Sequence, residues 1–200
     1  ALPGGAVMAE CGPMRLVISA FVGKVAQREM AVKAAKESFK YLERIARSKG
    51  RLGRRYTQIP EDLDDSLAIQ MVRSTLTVGD KDLTPMAAVA GTIADAVADF
   101  LFKRGMTKVV VDNGGDVAVR LGKGTSVNIG IRPEIGAQQI SNVITLDSRT
   151  PSWGVTTSGL GGRSFTRGIA SAATAIARCA SVADAASTAS SAPSAHPTGA

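Results

Sequence analysis

The sequence predicts an α+β fold, with helices gathered in the first half of the chain and strands in the second. Three observations carry this expectation. Apolar residues recur at helical spacing between about residues 25 and 104, the spacing changes to alternation from Lys108 onward, and the two kinds of segment do not interleave as a β-α-β array would. The 200 residues are 44% hydrophobic but only 4% aromatic, so the core has to be built from Val, Ile, Leu, Met and close alanine packing. That suffices for one compact domain over residues 1–188, or for two intertwined modules sharing a core, followed by a low-complexity tail at 189–200.

The elements follow in order. MRLVISAFV at 14–22 comes after the breaker Cys11-Gly12-Pro13 and reads as a strand, with GAVMAE as its pairing partner. From Val25 to Lys49 the stripe Val32, Ala35, Phe39, Leu42, Ala46 predicts a helix that Gly50 ends, with Lys33, Lys36, Lys40, Arg44 and Arg47 beside it as a solvated face. SKGRLGRRY then reads as an exposed basic loop. A second helix after Pro60 would bury Leu63, Leu67, Met71 and Leu76. A third starts with Thr84 as N-cap and Pro85 at the first position, buries Met86, Val89, Ile93, Val97 and Leu101, and stops at Gly105. Strands are expected at 108–112, 116–121, 126–132, 142–147 and 153–157. Residues 169–180 fit no single pattern, and a short helix runs from Ser181 to about Thr188.

The formal charge of +7 is concentrated between Arg15 and Arg55 and suggests an anionic partner. A nucleic-acid-binding module through residues 15–55 is one reading, but neither an aromatic stacking platform nor a helix-turn-helix pattern accompanies the charge. Cys11 and Cys179 are too few for a zinc site or a disulfide framework, and both are expected as buried, inert free thiols in a reducing, cytoplasmic setting. No run is expected to reach the ~18 to 20 apolar residues of a membrane span. No basic-then-apolar export segment opens the sequence, which starts at Ala and not Met.

Four polar, glycine-bearing stretches interrupt the apolar pattern: DLTPMAAVAG (82–91), DNGGD (112–116), TTSGLGG (156–162) and ADAAST (183–188). Turn chemistry accounts for DNGGD, since Asn-Gly takes a tight hairpin and Asp caps each shoulder. One glycine would suffice for that turn, however, and a second lets a ligand approach the main chain. Asn113 can read the edge of a heterocycle, and Asp112 or Asp116 can take a ribose hydroxyl or the water of a cation. TTSGLGG with Arg163 offers N–H groups, hydroxyls and a guanidinium fork to a phosphate, but it lacks the third glycine of a dinucleotide fingerprint and the lysine of a Walker loop. Asp184 and Thr188, at i and i+4, share a helix face and could give Mg²⁺ two hard oxygens; a helix-capping aspartate with a surface threonine explains the same pair.

The order and spacing of these four stretches resemble the ApbE-like superfamily, whose best-known members are flavin transferases that move FMN from FAD to protein threonines. The resemblance covers roughly residues 82–188. It is closer to a shorter, largely uncharacterised branch in which a GPMAAVAG-like helix start, an NGGD turn and a TSG-x-x-G-x-S loop recur. It implies layered helices on mostly antiparallel sheets, related to the T-fold. It also implies Mg²⁺ ligands at Asp184, Thr188 and the main-chain carbonyl near Ala87, and a FAD or FMN site beside Asn113, Gly114, Gly115, Asp116, Thr157, Ser158 and Gly159, with Arg163 nearby. The transferases carry a lysine where this chain has Ala88, and a histidine after the TSG loop where it has GRSFTRG; the only histidine is His196 in the tail. The resemblance therefore implies binding of a flavin or related anionic nucleotide more than FMN transfer. Sulfur transfer in amino-acid metabolism through Cys11 or Cys179 is the alternative that the shorter branch suggests. The expected partner is a small-molecule nucleotide, with nucleic acid disfavoured and a homodimer an admissible assembly.

Overall fold

The computed structural model of the chain describes residues 2–132, 139–159 and 172–190. A hairpin of β1 (Val7–Cys11) and β2 (Met14–Val22) opens the fold, and β3 (Val25–Ala26) pairs back onto the end of β2. Four helical elements follow: α1 (Arg28–Arg47), the single turn α2 (Lys49–Leu52), α3 (Ser66–Val78), and α4 (Val89–Phe102), which is preceded by a 3₁₀ turn at Pro85–Ala88. Strands β4 (Lys108–Asn113), β5 (Asp116–Leu121), β6 (Ser126–Ile131), β7 (Asn142–Asp147), β8 (Ser152–Ser158) and β9 (Ala173–Ala177) come next, and α5 (Ala180–Ser190) ends the described chain. The main sheet runs β1-β2-β4-β5-β8-β9, with β3 on β2, while β6 and β7 form a separate two-stranded sheet. Every pairing among the described residues is antiparallel.

Period-2 alternation sorts the main sheet into two faces. Leu16, Ile18, Val109, Val111 and Ala118 project toward the helices and join Ala31, Ala34, Met71, Ile93, Val97 and Leu101 in the principal core. Val119, Leu121 and Val155 face the other way and pack with Leu146 of the β6–β7 sheet and with Trp153, whose indole N–H donates to the Asp147 carbonyl at 3.1 Å.

The helices depart from the sequence expectation in register. On α1 the buried residues are Ala31, Ala34, Ala35, Ser38 and Ile45, whereas Val32 and Phe39 are exposed. Small side chains let α1 lie close to its neighbours, so the inward face is the alanine stripe and not the bulkier one beside it. Gly50 does not end α1: the helix stops at Arg47, and Gly50 lies within α2, part of the segment expected as loop. Leu63 is buried but precedes α3, which starts where Asp65 caps the Leu67 and Ala68 N–H groups at 2.8 and 3.2 Å. Thr84 makes no side-chain cap.

Pro85–Phe102 is long and apolar enough to cross a membrane by length and composition, contrary to the expectation that no run is. More than half of it, 56%, is packed inside the protein, as a core helix requires.

Candidate functional site

Two helices cross at the centre of the site with their backbones in contact. A Cβ on Gly91 of α4 would fall on the Ala180 carbonyl of α5, and a Cβ on Gly154 of β8 would fall on the backbone of Cys179 and Ala180 from the other side. The first turn of α5 is thus held between two glycines. At this crossing each helix lends a carboxylate to the start of the other. Asp95 of α4 accepts the N–H groups of Ala180 and Ser181 at 3.0 and 2.9 Å. Asp184 of α5 accepts the Gly91 N–H at 2.9 Å and is also bonded by the Ala90 N–H. Both sets of donors belong to helix first turns, whose N–H groups have no partner within their own helix.

Asp95 is held in turn by Arg120 of β5 at 3.0 Å, and the Arg120 Nε meets Asp99 at 2.6 Å. Arg120 and Asp95 are both buried. Burial alone would lower the Arg120 pKa, but the Asp95 and Asp99 carboxylates reverse that and hold it above its ordinary value.

Strand register places the remaining groups. Leu16, Asn113, Asp116 and Thr156 are successive cross-strand neighbours on the helix-facing side of the sheet. Asn113 and Asp116 close the β4–β5 hairpin, and its two central residues are Gly114 and Gly115 at φ +69° and +111°. A two-residue turn with positive φ at both central positions favours glycine at both, so turn geometry accounts for the second glycine as well as the first. Asp112 fixes the turn by accepting the Gly115 N–H at 2.8 Å. The Asn113 side chain donates to the Ala90 carbonyl at 3.1 Å and accepts the Arg15 N–H at 3.3 Å, which ties the turn to α4 and β2. Thr156 reaches Ser187 of α5 at 3.1 Å.

These elements enclose a cavity of about 480 Å³ between the tip of the β1–β2 hairpin, the start of α4, the glycine turn and α5. Met14, Leu42, Leu83, Met86, Val89 and Ile93 give it apolar lining; Asp82, Thr84, Asn113, Asp116, Asp184 and Thr188 give it polar lining, and Ala87 and Gly114 also line it. Burial, with the Asp112 charge added, pushes the Asp116 pKa up to about 7. Burial raises Asp184 well above the usual carboxylate range; Asp116 and, more weakly, Asp95 add to the rise, and the Gly91 and Ala90 N–H groups oppose it. A buried carboxylate whose charge is further opposed by a second carboxylate lining the same cavity is neutralised by a proton or by a cation.

The donor set fits Mg²⁺. Asp184, Thr188 and Ala87 line one cavity with Asp116, and Mg²⁺ takes one or two carboxylates while keeping waters and accepting phosphate oxygens. The described residues contain no group of three or more His, Cys, Asp or Glu side chains placed to hold a metal on their own.

The other residues singled out in the sequence are placed differently. Gly115 lies behind the turn against the Thr157 carbonyl. The Thr157 side chain projects to the opposite face from Asp116 and pairs with Thr174 at 2.9 Å. Ser158 and Gly159 are buried at the end of β8 and do not line the cavity. Arg163 lies outside the described residues. Cys11 is exposed, contrary to the expectation of burial, because it sits at the hairpin corner; Cys179 is half-buried, and neither lines the cavity. In the basic segment Lys40, Arg44, Arg47, Arg51 and Arg55 are ion-paired with Glu37, Asp65, Glu43, Asp62 and Asp82, which removes much of the free positive field that a nucleic acid would need.

Sequence reasoning passed over Asp95, Arg120, Gly91 and Gly154. The available signal was a charge inside each of two apolar runs, Ile93-Ala94-Asp95-Ala96-Val97 and Val117-Ala118-Val119-Arg120-Leu121.

The chain belongs to the family described as AbpE bacteria, whose model matches residues 1–196. Among curated proteins it is 42% identical over 100 residues to a UPF0280 protein of Archaeoglobus fulgidus, covering 50% of this chain and 40% of that protein. It is 39% identical over 117 residues to a UPF0280 protein of Methanosarcina acetivorans, covering 58% and 44%. The chain therefore matches less than half the length of these relatives. Among solved structures, the apo Pseudomonas stutzeri flavinyl transferase ApbE superposes with a TM-score of 0.57 at 18% identity, over 92% of this chain and 82% of that one. The Vibrio cholerae flavin transferase ApbE gives 0.59 at 12% identity, over 92% and 84%. The fold is that of these ApbE proteins: α+β, helices layered on antiparallel sheet.

Proposed function

We propose that the cavity binds FAD, FMN or a related anionic nucleotide together with Mg²⁺. The observation that carries this reading is the pair of buried carboxylates, Asp116 and Asp184, lining one 480 Å³ cavity together with many apolar side chains. That volume falls in the range of about 300–1,000 Å³ typical of small-molecule sites. Asp184, the Thr188 hydroxyl and the Ala87 carbonyl would hold the ion, which when bound neutralises and polarises a phosphate group. Met14, Leu83, Met86 and Ile93 offer a dry surface to a planar ring, and the backbone of Gly114 admits close approach of the ligand. The two superposing proteins are a flavinyl transferase and a flavin transferase, which favours flavin among the nucleotides.

The reading is of binding and not of FMN transfer. The described cavity wall contains no lysine or histidine, and Ala88, where the resemblance to the transferases implies a lysine, is fully buried and off that wall. A thermal-shift series with FAD, FMN, ADP and inorganic pyrophosphate, each with Mg²⁺ or with chelator, tests the proposal. Stabilisation by a flavin nucleotide that needs Mg²⁺ is expected; no shift with any of the four would count against it.

A further inference from the structure

Asp95 does not line the cavity, yet its carboxylate holds the helix that carries the lining residues Asp184 and Thr188. Its two oxygens accept from Ala180 and Ser181, the first residues of α5, and Asp184 and Thr188 follow on that helix. The contact is closed on every side: Gly91 and Gly154 press the same turn from two directions, and Arg120 fixes Asp95 from the sheet. Displacing the start of α5 would draw Asp184 away from the Gly91 and Ala90 N–H groups that orient its carboxylate. Helix rigidity carries that displacement along the 1.5 Å-per-residue rise to Thr188.

We infer that Asp95, braced by Arg120, is the positioning residue for the Asp184–Thr188 metal-binding edge. The inference rests on the reading of the cavity as a Mg²⁺ and nucleotide site. It assigns a function to a buried ion pair that touches neither metal nor ligand. A carboxylate suits this task better than a neutral cap because both its oxygens accept and its charge is matched by the guanidinium of Arg120.

The test uses the full chain with three substitutions, Asp95→Ala, Asp95→Asn and Leu101→Ala. Leu101 is fully buried on the same helix and makes no part of the cap, so its variant reports general loosening of α4. Two quantities are read below the unfolding temperature of each variant: hydrogen exchange of the Gly91 amide without metal, and the Mg²⁺ dissociation constant. Asp95→Ala is expected to speed Gly91 exchange and weaken Mg²⁺ binding, each by about tenfold or more. Asp95→Asn, which keeps one accepting oxygen, recovers part of both, and Leu101→Ala leaves the Mg²⁺ constant within about twofold. If Asp95→Ala does not fold, the comparison of Asp95→Asn with Leu101→Ala decides. Unchanged Gly91 exchange in a folded Asp95 variant, or equal loss of Mg²⁺ affinity in Leu101→Ala, overturns the inference. A wild-type chain that binds no Mg²⁺ overturns the metal reading instead, and Gly91 exchange then decides by itself whether Asp95 positions Asp184.

Discussion

Asp95 and Asp184 cap each other's helices: the α4 carboxylate accepts from Ala180 and Ser181 of α5, and the α5 carboxylate accepts from Gly91 of α4 at 2.9 Å. The two differ in what balances their charge. Asp95 pairs with Arg120, whereas Asp184 lies in the field of a second carboxylate, Asp116, that lines the same cavity. The Asp95 carboxylate therefore has a cationic partner in Arg120, while the charge near Asp184 is a second carboxylate.

Removing the guanidinium leaves Asp95 buried without its counter-charge. Arg120→Met should cost about 3–5 kcal/mol, the range for breaking one side of a buried ion pair. The double variant with Asp95→Asn should recover part of that loss. Urea denaturation of the three proteins measures it.

The crossing has no room for a methyl group at Gly91. Gly91→Ala should destabilise by about 1–3 kcal/mol or more, because the new Cβ meets the Ala180 backbone and not a side chain that can rotate away. Gly124→Ala is a different case: its φ of +77° imposes backbone strain, but no atom lies within 4 Å of the added Cβ, so the cost should be smaller, near 1 kcal/mol. Equilibrium unfolding distinguishes the two.

Asp116 and Asp184 both carry raised pKa values, and Asp116 contributes one proton's share of the pH dependence of the metal-free chain. Its carboxyl lies near 7 in the folded protein against an ordinary 3.8, so the folded state keeps a proton that the unfolded state has released. This contribution to stability is complete below about pH 4 and is lost as pH rises through about 7, with a slope of at most about 1.4 kcal/mol per pH unit for one proton. Asp116→Asn should lower the slope between those limits by removing its own share and leaving that of Asp184. Urea midpoints at several pH values from 4 to 8 show whether it does.

At the site itself, Asp184→Ala should weaken Mg²⁺ binding by tenfold or more. Asp112→Ala should change it by about twofold or less, since Asp112 is committed to the turn through the Gly115 N–H. Calorimetric titration of both variants makes the comparison, and equal, small effects would remove Asp184 from the metal site.

Much of this arrangement was legible in the sequence because it is local. Asp184 and Thr188 share a face by helical spacing, and Asn113 and Asp116 meet by hairpin register. The glycine pair marked the turn, although its full explanation needed the two positive φ values. Long-range pairings were not legible. Nothing in the spacing of Asp95 announces a cap 85 residues away, and Gly91 and Gly154 look like ordinary glycines until α5 is laid between them. The inward face of α1 was misread for a related reason: the tighter packing of alanine, and not the bulk of Val32 and Phe39, decides which face turns in. Thr157 was misplaced because strand alternation sends it to the side opposite Thr156.

The most direct measurement is a flavin fluorescence titration of the wild-type chain and Asp184→Ala with FAD, each in Mg²⁺ and in chelator. The account predicts saturable quenching by the wild-type chain in Mg²⁺, weakened about tenfold or more both by chelator and by Asp184→Ala. Quenching of equal strength under all four conditions, or none under any, would contradict it.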